Sequence, residues 1–361
     1  MEQIPVVSFL MSVYNGEEYL EDALKSISAQ TYQNWECVVI DDCSTDSSPE
    51  ILKRWAERDG RFRVSRNPEN LRLAASLNRG LGLVRGRYIA RFDADDLCAP
   101  DRLEKQLSFM DAHPELALSA CKFFTLRGDS LHPAFVGRRC DNDGVRAMLL
   151  FFNPILHPGV IARTDVMSRY QYNPLHTCSE DLELWAHIAA DGSKIAIQDE
   201  YLLFYRLHDK QITATTMEKQ HYEVRNIMRR FYGSCLWRLD DTQMDILLGS
   251  LYFRDNIRVN DFAAFIKELR RNNRRRKSFK SEAIDSALVE ILAEYKRLGV
   301  SRSDIVRALL CFNPLFIAAE QVQRKARAKK DLAICAAAAE RCGLIYLPEE
   351  SAPQNPVYRL P

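Results

Sequence analysis

No run in this 361-residue chain approaches the ~18 consecutive apolar residues of a membrane-spanning helix, so no helical span is expected. Surplus charge is missing as well. Lys plus Arg number 50 against 49 Asp plus Glu, and with a net charge of +1 nothing draws the whole chain to nucleic acid or an anionic membrane. Any basic surface must be local. The ten cysteines (37, 43, 98, 121, 140, 178, 235, 311, 335 and 342) form no C-x-x-C pair and have no histidine at zinc-finger spacing. That excludes a metal knuckle and a redox pair, and reduced thiols filling core space are expected. The first residues, Met1-Glu2-Gln3-Ile4-Pro5, lack the basic segment and cleavage site of a secretory signal, so the expected location is cytoplasmic. There is no G-x-x-x-x-G-K-[ST], G-x-S-x-G or H-E-x-x-H. Gly80-x-Gly82-x-x-x-Gly86 carries its last glycine one residue late for a dinucleotide loop, and it joins a helix to a strand instead of the reverse.

What is present is an alternation of strands and helices. Residues 6–13 and 36–41 are short Val/Ile-rich runs of the kind buried on both faces of a sheet. Between them Tyr19, Leu20, Ala23, Leu24 and Ile27 recur at helical spacing, with Glu17, Glu18, Glu21 and Asp22 at the positive end of the helix dipole. Ser44-Thr45-Asp46-Ser47-Ser48 reads as a capping cluster for a helix over 49–58, followed by a strand at Phe62-Arg63-Val64. A helix over about 72–85 then leads to the strand 87–92, which ends in Asp93-Ala94-Asp95-Asp96. This rhythm predicts an α/β fold with a mostly parallel sheet flanked by helices, where ligands sit beyond the carboxyl ends of the strands. Beyond residue 97 come a helix at 100–112, an apolar run at 116–126, a helix near 142–151, the segment Gly159–Arg163, a helix from Ser179, and strand-like 194–198 and 201–207. After about 215 strand-forming runs stop and helical periodicity takes over. The expected domains are therefore 1–214, a helical region 215–349, and a Pro-containing tail 350–361.

Asp93-Ala94-Asp95 is the sharpest chemical feature, because two carboxylates two residues apart can meet one divalent cation and the oxygens it holds; Asp96 is the weaker candidate. D-x-D alone is a weak signal, but here it follows Ser12-Val13-Tyr14-Asn15, then Asp41-Asp42, then the helix containing Asn78. Together with NPILHPGVIAR (153–163), SEDLELW (179–185) and YRLHDKQIT (205–213), in this order and spacing, the first 210 or so residues resemble the inverting family 2 glycosyltransferases of GT-A fold. Cys43, where Gly or Asn is usual, and Leu71, where Gly is common, depart from the pattern.

The resemblance implies a base pocket in which Tyr14 stacks on the nucleobase, Ser12 and the backbone around Val13 bond the base or ribose, and Asp42 accepts an imide N–H. Arg72 would add charge-assisted bonds to the donor, though a solvated helix arginine is an equal alternative. Asp93 and Ala94 would hold the ribose side, and Asp95 with Asp93 would ligate Mg²⁺ or Mn²⁺. Asp181 resembles the base, Glu180 goes to the acceptor, and Trp185, one turn into the apolar periodicity, is either core or a sugar platform beside the acceptor. His157, Arg206 and His208 lie in segments that border the donor site. The implied reaction moves a sugar from a nucleotide-diphosphate donor, with a lean to uridine, to a saccharide or lipid-linked acceptor in envelope polysaccharide or lipopolysaccharide synthesis.

Two other readings differ in kind. A sugar-nucleotide nucleotidyltransferase would want a Gly-rich loop with Arg and Lys near the N-terminus, and residues 6–24 contain none. A non-catalytic binding protein would use 267–280, where eight Lys or Arg meet one Glu; a solvated helix face, or peripheral contact with a membrane, fits that run better than nucleic acid, which is not an expected partner.

Overall fold

The computed structural model describes residues 4–128, 130–133, 141–209, 211, 217–249, 259–297 and 345–346. The tail 350–361, the stretch 212–216 and Cys140, Cys311, Cys335 and Cys342 lie outside them. The chain divides into two compact units, one of residues 1–134 with 155–215, the other of 135–154 with 216–361.

The first unit opens with β1 (Val7–Val13), α1 (Leu20–Ser28), β2 (Trp35–Asp41), α2 (Ser48–Arg58), β3 (Phe62–Arg66), α3 (Arg72–Leu81) and β4 (Tyr88–Arg91). β2 and β4 pair in parallel on either side of β1, and β3 pairs in parallel with β2. β1, β2 and β4 are buried along nearly their whole length because both of their faces are covered, whereas in the edge strand β3 only Phe62 is buried. Phe9, Trp35 and Phe62 meet edge to face in a core that also takes Ala23, Leu24 and Ile27 of α1 and Leu52 and Trp55 of α2. α3 stops at Leu81, short of the expected 85, in a turn at Gly80 and Gly82. Gly86 then passes so close to β1 that a Cβ on it would lie 2.6 Å from the Ser8 nitrogen.

After β5 (Leu97–Cys98) and α4 (Arg102–Ala112), the long β6 (Leu116–Arg127) and β7 (Ser130–Pro133) form a hairpin. β8 (Val160–Arg163) enters antiparallel between β4 and β6, and α6 (Thr164–Tyr170) and α7 (Glu180–Ala190) lead to β9 (Lys194–Arg206), parallel to β6. The two strand-like runs expected at 194–198 and 201–207 are this single strand. A break in register opposite Cys121 and Lys122 interrupts its alternation. Since β8 is antiparallel to both neighbours, β4, β6 and β9 run the same way as β1 and β2. The carboxyl ends of β1, β2, β4 and β9 and the entry to β8 therefore share one edge of the sheet.

In the second unit α5 (Asn142–Met148) packs against α11 (Ser281–Arg297), and the Tyr232 hydroxyl of α8 (Met217–Cys235) donates to the Leu150 carbonyl at 2.8 Å. Residues 135–154 thus group with these helices and not with the first domain as expected, because Val145, Met148 and Leu149 bury their apolar face there. α9 (Asp241–Leu248), started by a capping box between Asp240 and Gln243, and α10 (Val259–Arg276) complete the described helices; β10 (Ile345–Tyr346) is a short strand. Among the described residues no helix is long and apolar enough to cross a membrane.

Candidate active site

At the shared edge the loops after β1 and β2 are laced together. Asp42 N donates to the Val13 carbonyl (2.8 Å), Asn15 N to Ser44 Oγ (3.0 Å), Gly16 N to Ser48 Oγ (2.9 Å) and Glu17 N to Asp46 Oδ2 (2.9 Å). The expected capping cluster is therefore used mostly across loops: Ser47 stands at the N-cap of α2 but makes no side-chain cap bond. Asn15 (φ 51°) and Cys43 (φ 64°) adopt the left-handed conformation. At Cys43 this explains why Gly or Asn suits the position: glycine has no Cβ to clash in this conformation, and the short polar side chain of asparagine tolerates it. Tyr14 emerges beyond this lattice with 53% of its surface exposed, and Ser12 lies half-buried beneath it in β1.

Asp42 is buried. Its Oδ1 accepts from Asn67 Nδ2 (2.6 Å) and Leu71 N (2.8 Å), and Oδ2 accepts from Arg72 N (2.8 Å) at the start of α3. A carboxylate at a helix N-terminus is electrostatically favoured, and here three of its four acceptor positions are filled by the chain itself. One acceptor position on Oδ2 is not used by these three bonds. Arg72 (φ 68°) extends an exposed guanidinium that has no partner among the described residues.

β4 delivers the acidic cluster. Carboxylate oxygens of Asp93, Asp95 and Asp96 lie within 4.8 Å of one another. Because β5 pairs with the carboxyl end of β9, Asp95 and Asp96 meet residues more than a hundred positions away. Arg206 N donates to Asp96 Oδ1 (2.9 Å), Arg206 Nε to the Asp95 carbonyl (2.9 Å), and His208 Nε2 lies 2.9 Å from Asp95 Oδ2. Tyr19, read in the sequence only as part of the apolar periodicity of a helix, closes this corner: Arg206 lies over its ring and His208 packs against it at 4.9 Å. Burial and the neighbouring acids push Asp93 upward and Asp96 well above the usual carboxylate range. Asp96 Oδ2 is buried without a hydrogen-bond partner. Three converging carboxylates, one of them paired with Arg91, are a donor set that fits a hard divalent cation.

Across from the cluster, α7 begins at Glu180. Ser179 takes the N-cap position, yet its hydroxyl makes no cap bond and is buried without a partner among the described residues. Glu180 is buried, and burial and Asp181 push its carboxyl up to about 8, so it carries a proton at neutral pH. Asp181 is partly exposed and accepts from Leu182 N at 2.7 Å. Two expectations need correction. Trp185 has no exposed surface and packs edge-on against His157, so it is core and offers no platform to a sugar. His157 is buried with Nε2 2.8 Å from the Tyr172 hydroxyl; burial and the nearby Arg91 push its imidazole well below the usual range, so it is a neutral structural partner of Tyr172. Asn78 in turn clamps Tyr172 through both backbone groups, Nδ2 to the carbonyl (2.7 Å) and Oδ1 from the N–H (2.8 Å). Arg91, unassigned from the sequence, is buried and ion-paired with Asp93. Its signal was an arginine inside an otherwise apolar strand.

This geometry has counterparts. The model for glycosyl transferase family 2 matches residues 8–134. An uncharacterised glycosyltransferase of Haemophilus influenzae is 31% identical over 240 residues, 63% of this chain and 74% of that one. The chain belongs to glycosyltransferase family 2. A second relative of this transferase, the putative teichuronic acid biosynthesis glycosyltransferase TuaG of Bacillus subtilis, is 30% identical over 64% of this chain and 92% of its own. Among solved structures, TarS of S. aureus in complex with UDP-GlcNAc superposes with a TM-score of 0.54 at 18% identity, covering 89% of this chain and 92% of that chain. The mannosyltransferase PcManGT of Pyrobaculum calidifontis, in complex with GDP-Man and Mn²⁺, gives 0.52 at 18% identity, covering 89% and 87%. The fold is GT-A, and the chain is a glycosyltransferase with relatives in polysaccharide synthesis.

Proposed function

We propose that this transferase moves one sugar from a nucleotide-diphosphate donor, most simply a UDP-sugar, to a hydroxyl of a saccharide or lipid-linked saccharide, with inversion, at the cytoplasmic face of an envelope polysaccharide pathway. The observation that carries it is the convergence of the Asp93–Asp95–Asp96 cluster with the start of α7 at one sheet edge. On the donor side, exposed Tyr14 stacks on the base, Ser12 and the Val13 and Ala94 backbone border the ribose, Asp42 offers its remaining acceptor position, and Arg72 reaches the phosphates. Asp93, Asp95 and Asp96 would hold Mg²⁺ or Mn²⁺, with Arg206 and His208 fixing the second and third of these carboxylates. When bound, such a cation offsets the negative charge that grows on the departing diphosphate.

On the acceptor side Asp181 removes the proton from the attacking hydroxyl. The oxygen forms its bond to the anomeric carbon from the face opposite the nucleotide as the bond to the diphosphate oxygen breaks, and the nucleoside diphosphate leaves with the electron pair. Protonated Glu180 donates a hydrogen bond to a neighbouring acceptor oxygen. Calorimetric titration of UDP with and without Mn²⁺ tests the donor site. Mn²⁺ is expected to tighten binding to the wild type and not to Asp95→Ala; equal behaviour of the two proteins would overturn the cation assignment. NMR of the product from a nucleotide-sugar panel reads the anomeric outcome, and retention would overturn the single-displacement reading.

A further inference from the structure

Arg91 closes β4, which is buried between β1 and β8, and only 2% of its side chain is exposed. A charged group so placed is costly unless it is paired. Asp93 pairs with Nη1 of Arg91, but the Arg91 Nε is buried with no hydrogen bond among the described residues. The surrounding frame fixes the backbone from which the guanidinium springs. Arg102 Nη2 donates to the Arg91 carbonyl (3.1 Å) and to the Val160 carbonyl (3.3 Å), while its own Nε is held by Gln106 (2.9 Å). Within electrostatic reach of the guanidinium stands Glu180, whose Oε2 is likewise buried and without a hydrogen bond. A guanidinium whose Nε–H is to spare and a carboxyl with an oxygen to spare thus occur together, at the junction of the donor-side strand and the acceptor-side helix.

We infer that Arg91 is a positioning residue for the transfer, joining Asp93 on the donor side to Glu180 beside the base. In the filled site Arg91 donates to Glu180 Oε2 while keeping its pair with Asp93, so one rigid group sets the spacing of the two carboxyls. The inference rests on the proposed roles of Asp93 and Asp181. Lysine keeps the charge but not the planar fork, and methionine keeps neither.

Steady-state transfer by the full-length protein with Mn²⁺ tests it, using Arg91→Lys, Arg91→Met, Glu180→Leu and the Arg91→Lys/Glu180→Leu pair. Misplacing reacting groups slightly costs on the order of 10²-fold, so kcat is expected to fall ~10–100-fold in Arg91→Met with acceptor KM little changed, and less in Arg91→Lys. The double variant is expected to lose less than the product of its two single losses, since both remove one shared contact. Strictly multiplicative losses overturn the tie between Arg91 and Glu180. So does a folded Arg91→Met with wild-type kcat, or equal loss in the Lys and Met variants tracking only the fraction folded. If Arg91→Met does not fold, the cycle built on Arg91→Lys still decides. A wild type that transfers from no donor overturns the proposed function and this inference together, whereas an active wild type without coupling overturns this inference alone.

Discussion

Asp181 and Glu180 are adjacent acids with different surroundings, and the difference assigns their work. Glu180 is buried and protonated, while Asp181 is partly exposed at the first turn of α7. Asp181→Asn is therefore expected to cut transfer ~10²–10⁴-fold, the usual worth of a positioned general base, while UDP affinity by calorimetry stays within a few-fold. Transfer close to wild type would move the base elsewhere. His157 makes a second residue-scale prediction. Its folded pKa is depressed by burial and by Arg91, so the unfolded chain binds the proton more readily. The contribution of neutral His157 to stability is fully present above about pH 6.5 and is lost as pH falls from there toward the folded value. Melting temperatures between pH 7.5 and 5 are expected to fall more steeply for the wild type than for His157→Gln, which keeps a polar partner for Tyr172 but does not titrate. Parallel slopes would mean that His157 is not held neutral.

At the scale of elements, the parallel strands β2, β1 and β4 bring their carboxyl ends, acidic in β2 and beyond β4, to one edge, and close backbone contact at their other ends keeps them in register. Gly86 is the tightest point: its N–H donates to Ser8 Oγ at 2.9 Å, and that hydroxyl donates to buried Glu36, which also pairs with Arg63 and Arg85. A methyl on Gly86 would collide with backbone atoms of Val7 and Ser8, whereas one on Gly60 would meet nothing within 4 Å. Gly86→Ala is expected to cost about 1–3 kcal/mol in overpacking, a drop of several degrees in melting temperature, and Gly60→Ala to leave it nearly unchanged. Scanning calorimetry of the two variants compares them directly. The capping cluster at Ser44–Ser48 shows why such detail escapes sequence reading. Ser, Thr and Asp favour any nearby N–H, and only the approach of the β1 loop made Asn15, Gly16 and Glu17 the ones they meet.

For the whole molecule, the second unit supplies the local basic surface that a nearly neutral chain otherwise lacks. Arg270 pairs with Asp285, Arg271 with Glu268 and Lys280 with Asp143. Arg274, Arg275, Arg276 and Lys277 stay exposed without an ion pair among the described residues. Asn273 holds the corner that presents them, bonding Phe279 through both its amide groups and accepting from Lys277 N. Basic groups at a helix C-terminus also favour the helix dipole, so a solvated face is the competing account. Each cation near anionic lipid adds on the order of 1 kcal/mol, enough in sum for reversible attachment. Co-sedimentation with phosphatidylglycerol-containing vesicles at low salt is expected for the wild type and lost when Arg274, Arg275 and Arg276 become Ser. Failure of the wild type to pellet would remove the membrane role.

The motif order, the strand–helix rhythm of the first 100 residues and the acidic strand ends were legible in the sequence. Each depends on local periodicity and on chemistry that a residue carries wherever it is placed. Tertiary structure alone decided which ends meet. His208 and Arg206 reach Asp95 and Asp96 because β9 lies parallel to β6 and pairs with β5, a strand order that no local pattern encodes. The same non-local packing sealed Trp185 into the core and turned His157 toward Tyr172. It filled most of the acceptor positions of Asp42 with the chain's own N–H groups, and it buried Arg91 beside Asp93. Periodicity shows which residues turn inward, but the partner each one finds there is set by chain segments far away in sequence.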